Sequence, residues 1–164
     1  MELEHSFSVP ADIETTWRTL LDVERIALCM PGASLTSVEG DTFTGEVKVK
    51  LGPVSMTYGG KASFTEKDAA SHRAVISASG SETKGTSTAN ATVVTQLTAQ
   101  EGGTKVGVTT DLAITGQPAQ FGRGVMQDVA GRIIDQFAAN LAELVRSSAA
   151  GEVAPAPAAA EALN

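Results

Sequence analysis

Apolar and polar positions alternate over residues 2–9, with Leu3, His5, Phe7 and Val9 on one side and Glu2, Glu4, Ser6 and Ser8 on the other. A period of two predicts a strand with one buried face. Pro10-Ala11-Asp12 interrupts it. Asp12 is placed to cap a helix in which Ile13, Trp17, Leu20 and Leu21 recur at helical spacing. A second short helix, about Val23 to Leu28, stops at Pro31-Gly32. From Ala33 the period returns to two. Strands are predicted at Leu35–Val38, Thr42–Leu51, Val54 to about Glu66, His72–Gly80, Thr86–Gln100 and Thr104–Thr115, with Glu39-Gly40-Asp41 as the first hairpin turn. Pro118 opens a long helix whose apolar positions include Val125, Met126, Val129, Ile133, Phe137, Leu141 and Leu144. Pro118 to Arg146 would span about 44 Å.

The pattern predicts an α+β fold in which a curved antiparallel sheet of about seven strands wraps the terminal helix. Residues 1–146 form the domain. Residues 147–164, an Ala/Pro/Glu-rich stretch, carry too little apolar bulk to pack and are expected to form a disordered tail.

Side-chain volume then changes the picture. The strand positions meant to fill the core include Gly60, Ala62, Ala74, Ala78, Gly80, Ala89 and Ala91. The helix gives up bulk at Gly122, Gly124 and Gly131, each at a cost of about 1 kcal/mol relative to alanine. Either the glycines permit close helix–sheet contact, or two thinned surfaces enclose a cavity with a hinge at its mouth. On the second reading the cavity lies between the long helix and the sheet. Its expected lining is Val47, Met56, Tyr58, Ile76, Leu112, Phe121, Val125, Met126 and Val129, with Arg123 as a polar clamp at the open end. Arg123 could equally make a rim salt bridge. Met30, Met56 and Met126 suit either core filling or a lipid-like tail, since methionine adapts to irregular apolar shapes. A buried Tyr58 hydroxyl needs a partner, and a ligand carbonyl is one.

Charge and cysteine content narrow the setting. Of 164 residues, 12 are Lys or Arg and 19 Asp or Glu, a net charge of -7. That balance disfavours nucleic acid as a partner, and anionic lipid held by charge alone. The first residues lack a signal-peptide pattern, and no uncharged apolar run approaches membrane-spanning length. The single cysteine, Cys29, fits a reducing cytoplasm and a buried structural role. His5 and His72 stand apart from any metal-ligand or triad spacing, and no phosphate-binding glycine loop is present. No catalytic or metal-binding residues are expected.

"CMPGA" (Cys29–Ala33), "LGPV" (Leu51–Val54), "AQFGRG" (Ala119–Gly124) and the following "VMQDV" carry a resemblance. With the element order, the chain resembles the family of the carbon monoxide dehydrogenase G subunit, of the helix-grip START/Bet v 1-like (SRPBCC) superfamily, over roughly residues 1–146. The resemblance implies a non-enzymatic accessory protein of aerobic molybdenum CO dehydrogenase with an apolar ligand cavity. The implied ligand is a respiratory quinone of menaquinone type, or another isoprenoid lipid, with no covalently bound cofactor. The implied partners are CO dehydrogenase and the membrane quinone pool. The implied location is the cytoplasm, peripheral to the inner face of the plasma membrane. Family members often continue past a Pro-rich linker into a hydrophobic or amphipathic segment, whereas here the linker runs to Asn164. A ligand-free recruitment or assembly factor, and a small-molecule enzyme of the same superfamily, are the alternatives.

Overall fold

The computed structural model describes residues 1–150 apart from Gly52. Strand β1 (Glu2–Val9) leads into helices α1 (Ile13–Leu21) and α2 (Val23–Cys29). Six strands follow: β2 (Ala33–Glu39), β3 (Thr42–Leu51), β4 (Val54–Asp68), β5 (Arg73–Glu82), β6 (Thr88–Gln100) and β7 (Gly103–Ile114). A short 3-10 helix (Gln117–Phe121) then enters the long helix α3 (Gly122–Ala150). All strand pairs are antiparallel, in the order β1-β7-β6-β5-β4-β3-β2. This is the expected α+β helix-grip architecture: a seven-stranded sheet, two short helices after the first strand, and a long terminal helix.

Local chemistry accounts for the element boundaries. Asp12 caps α1, accepting from the Thr15 amide at 3.1 Å and the Thr15 hydroxyl at 2.6 Å. Those bonds, the hydroxyl first, hold its carboxyl below the usual value of 3.8. The long helix does not start at Pro118. Gly116 and Gly122 both adopt φ of +84°, so the segment between them is a separate turn flanked by left-handed backbone. The α-helix begins at Gly122 and runs to Ala150, past the expected end at Arg146. The remainder of the expected tail, 151–164, lies outside the described residues.

Two apolar clusters hold the helices to the sheet. The larger joins Val9, Trp17, Cys29, Leu97 and Val106 to Phe137, Leu141, Leu144 and Val145 in the second half of α3. The smaller joins Leu3 and Met56 to Met126 and Val129 in its first half, with Leu112 and Phe121 packed against them. A polar seam reinforces the attachment along the edge strand β1. Arg123 Nε donates to Glu2 O at 3.1 Å, and Gln127 Nε2 to Glu4 O at 2.9 Å. The His5 Nε2–H donates to Gln127 O at 3.1 Å. The seam satisfies carbonyls that the outermost strand would otherwise leave open.

Candidate functional site

The register of the sheet makes a patch without side-chain bulk. Leu35, Gly45, Gly60, Gly80, Ala89 and Ile114 stand opposite one another across β2 to β7. The next row on the same face reads Phe43, Ala62, Ala78, Ala91 and Leu112. Side chains of residues two apart share a face, so seven neighbouring positions at the centre of these rows carry a methyl group or nothing. At Gly45 and Gly60 the absence of Cβ is a steric requirement. A Cβ there would collide with the carbonyl oxygens of Ser34 and Ser79 on the adjoining strands. The glycines let the sheet bend sharply, and the bend leaves space beneath it.

That space is a cavity of about 440 Å³, within the range of pockets that take small organic ligands. The two sheet rows, from Leu35 and Phe43 as far as Ala89 and Ala91, form its floor. Leu20 of α1 and Val23, Ile26 and Ala27 of α2, with Met30 just beyond, form the opposite wall, while Phe64, Ile76 and Val93 close one end. Leu20, Ile26, Met30, Phe64 and Val93 are also the flank of the larger cluster, and Tyr58 belongs to the flank of the smaller one. The cavity therefore lies between the two packed regions. Glu46 and Lys61 are the charged residues of the lining, and both are exposed.

Val47, Tyr58 and Ile76 stand on the cavity wall. The other residues expected there lie elsewhere, because no residue of α3 reaches the space. Met56, Leu112, Phe121, Met126 and Val129 fill the smaller cluster, where α3 sits directly on the sheet. Val125 is 39% exposed. Arg123 is exposed and bonds the Glu2 carbonyl, which is neither a ligand clamp nor a rim salt bridge. Of the three methionines considered, Met30 lines the cavity and Met56 and Met126 pack. The Tyr58 hydroxyl already has a partner. It donates to Ser87 Oγ at 2.8 Å, because the Ser87 proton goes to Thr115 O at 2.6 Å.

The helix glycines stand in three different surroundings. Gly122 supplies a positive φ at the helix entry, and a Cβ at Gly124 would meet nothing within 4 Å. At Gly131 a Cβ would stand 3.4 Å from His5 Nε2, in van der Waals contact with the imidazole that bonds the Gln127 carbonyl. None of them borders the cavity. The pattern of the sequence misses the wall supplied by α1 and α2, because it offers the long helix as cover for the whole sheet. The available signal is the apolar set Val23, Ile26 and Ala27 of α2 with Met30 just after it.

Cys29 is buried, and burial raises its thiol above 9.0 despite the opposing charge of Arg25. Among the described residues no group of His, Cys, Asp and Glu is arranged to hold a metal ion. Nor, among them, is any helix long and apolar enough to cross a membrane.

Solved structures share the architecture. A conserved protein from Geobacillus kaustophilus superposes with a TM-score of 0.80 at 20% identity, covering 90% of this chain and 97% of its own. The Zhui aromatase/cyclase from Streptomyces sp. R1128 gives 0.62 at 16% identity, covering 92% and 98%. Protein Ms6760 from Mycobacterium smegmatis gives 0.59 at 16% identity, covering 90% and 92%. At these identities the likeness concerns the fold. No curated protein matches the chain. The family of the carbon monoxide dehydrogenase G subunit (CoxG) matches residues 6–146, nearly the whole described domain, and the chain belongs to that family.

Proposed function

We propose that this protein is a non-enzymatic accessory component of CO dehydrogenase that carries a respiratory quinone, or a related isoprenoid, in the cavity beneath α1 and α2. The carrying observation is the pair of in-register glycine and alanine rows beneath a wall of Leu20, Val23, Ile26 and Met30. Unfilled apolar volume costs stability, and a ligand that occupies it recovers that cost. An isoprenoid is the class with most to gain. Each CH₂ taken from lipid into water costs about 0.8 kcal/mol, so a free prenyl chain stays in the bilayer. An apolar enclosure removes much of that barrier and makes transfer between bilayer and enzyme feasible. Membership of the CoxG family supplies the enzyme end of the transfer. At the membrane end the association is peripheral.

The ligand would be held by shape and burial. Tyr58 presents its ring to the space while Ser87 takes up its hydroxyl, so recognition falls on the apolar part of the molecule. Organic extraction of protein purified from its native host, followed by mass spectrometry, tests the reading. A quinone recovered in near-stoichiometric amount is the expected result. Protein that yields no lipid, and that a soluble short-chain quinone does not titrate, would favour the ligand-free recruitment factor.

A further inference from the structure

The glycines of the cavity floor uncover backbone as well as space. Ser34, Gly59 and Ser79 border the cavity. Each alternates with inward-facing neighbours, so the side chains of the two serines point to the opposite face of the sheet. These residues reach the cavity through their main chain. Their carbonyl oxygens are the atoms that a Cβ at Gly45, Gly80 or Gly60, respectively, would meet first. Hydrogen-bond donors on the walls are already engaged. The Tyr58 hydroxyl is committed to Ser87 Oγ at 2.8 Å, and the Met30 and Ala33 amides donate to Ala27 O and Met30 O at 3.3 Å. The side chains that do face inward, among them Leu20, Ile26, Leu35, Phe43 and Val93, are apolar. What the floor offers a polar ligand atom is therefore a set of acceptors.

We propose that the cavity holds the isoprenoid chain of its ligand and leaves the quinone ring outside, at the mouth. The inference rests on the reading that the ligand is a prenylated quinone. A quinone ring carries two carbonyl oxygens and no donor, so on this floor its oxygens would face other acceptors. Burying a carbonyl without a donor is costly. The chain asks for no partner, and every carbon of it gains by leaving water. The cavity is open to solvent and not sealed, which leaves the ring a hydrated place to stay. Two consequences follow from this orientation. The site selects for the chain and accepts different rings on it. The ring also stays within reach of a docked enzyme while the chain remains bound, so the ligand need not leave its carrier to react.

The test uses the full chain and a set of matched probes: a naphthoquinone with a farnesyl chain, farnesene as the ring-free hydrocarbon of the same length, and menadione as the ring without the chain. Farnesene is expected to displace the farnesylated quinone, with a Kd within about threefold of it, and menadione to bind at least about a hundredfold more weakly. Aqueous borohydride should reduce the ring of the bound farnesylated quinone at close to its rate with free menadione. Ala78→Leu, which narrows the floor, should weaken farnesene and the farnesylated quinone by the same factor. Menadione binding as tightly as the farnesylated quinone would overturn the proposal and leave a quinone carrier in place. So would farnesene that fails to displace the quinone, or a bound ring shielded from borohydride. Failure of the carrier reading would show separately, as a protein that takes farnesene and refuses the farnesylated quinone. A protein that binds none of the probes would overturn both.

Discussion

At the scale of single residues, the missing side chain of Gly60 is tied to two neighbouring backbone atoms. A Cβ would collide with Ser79 O and crowd the Gly80 Cα, and backbone cannot swing aside as a side-chain tip can. Gly60→Ala is therefore expected to lower stability by about 1–3 kcal/mol in urea unfolding, as overpacking does. Gly124→Ala should do the opposite, because nothing lies near the added methyl and alanine favours the helix by up to about 1 kcal/mol. Even Gly124→Leu should leave ligand affinity unchanged, since the position is remote from the cavity lining. Cys29 is buried with its thiol pushed up by desolvation. Iodoacetamide at neutral pH should label it slowly in the native state and rapidly in denaturant. Comparable rates in the two states would contradict its burial.

At the scale of elements, α1 and α2 cover the cavity while α3 ties the sheet together. The period-two and helical patterns are legible in the sequence to within a few residues, because each element buries one face and most turns carry Gly, Pro or Asp. The small-residue patch is legible too, since Gly60, Ala62, Ala78, Gly80, Ala89 and Ala91 fall on predictable strand faces. The placement of its cover is not. Which helix overlies which strand depends on long-range packing, here on Leu3, Leu112 and Met56 holding α3 over another part of the sheet. The side-chain-to-carbonyl seam along β1 is equally hidden, because Arg123 and Gln127 bond atoms that every residue has. Gln127→Ala removes one such bond and is expected to cost about 1 kcal/mol without altering ligand binding. The cap of α1 adds a pH dependence. The Asp12 carboxyl is depressed in the folded state, so its contribution is fully present above the ordinary carboxylate range and is lost as pH falls below about 4. Asp12→Ala should flatten that part of the acid-stability profile.

At the scale of the whole molecule, one sheet performs two tasks. The part under α3 packs with Met126, Val129 and Phe121, and the part under α2 stays open beneath rows of glycine and alanine. The separation means that the cavity can be filled without disturbing the attachment of the long helix. Ala78→Leu places a larger side chain on the cavity floor, where there is room for it. The most direct measurement is a titration of the wild type and of Ala78→Leu with a soluble short-chain quinone, with folding followed by circular dichroism. The wild type should bind, and the variant should fold with equal or greater stability while losing binding at least about tenfold, or about 1.4 kcal/mol. A well-folded Ala78→Leu protein that binds the quinone as tightly as the wild type would show that the ligand does not occupy this cavity.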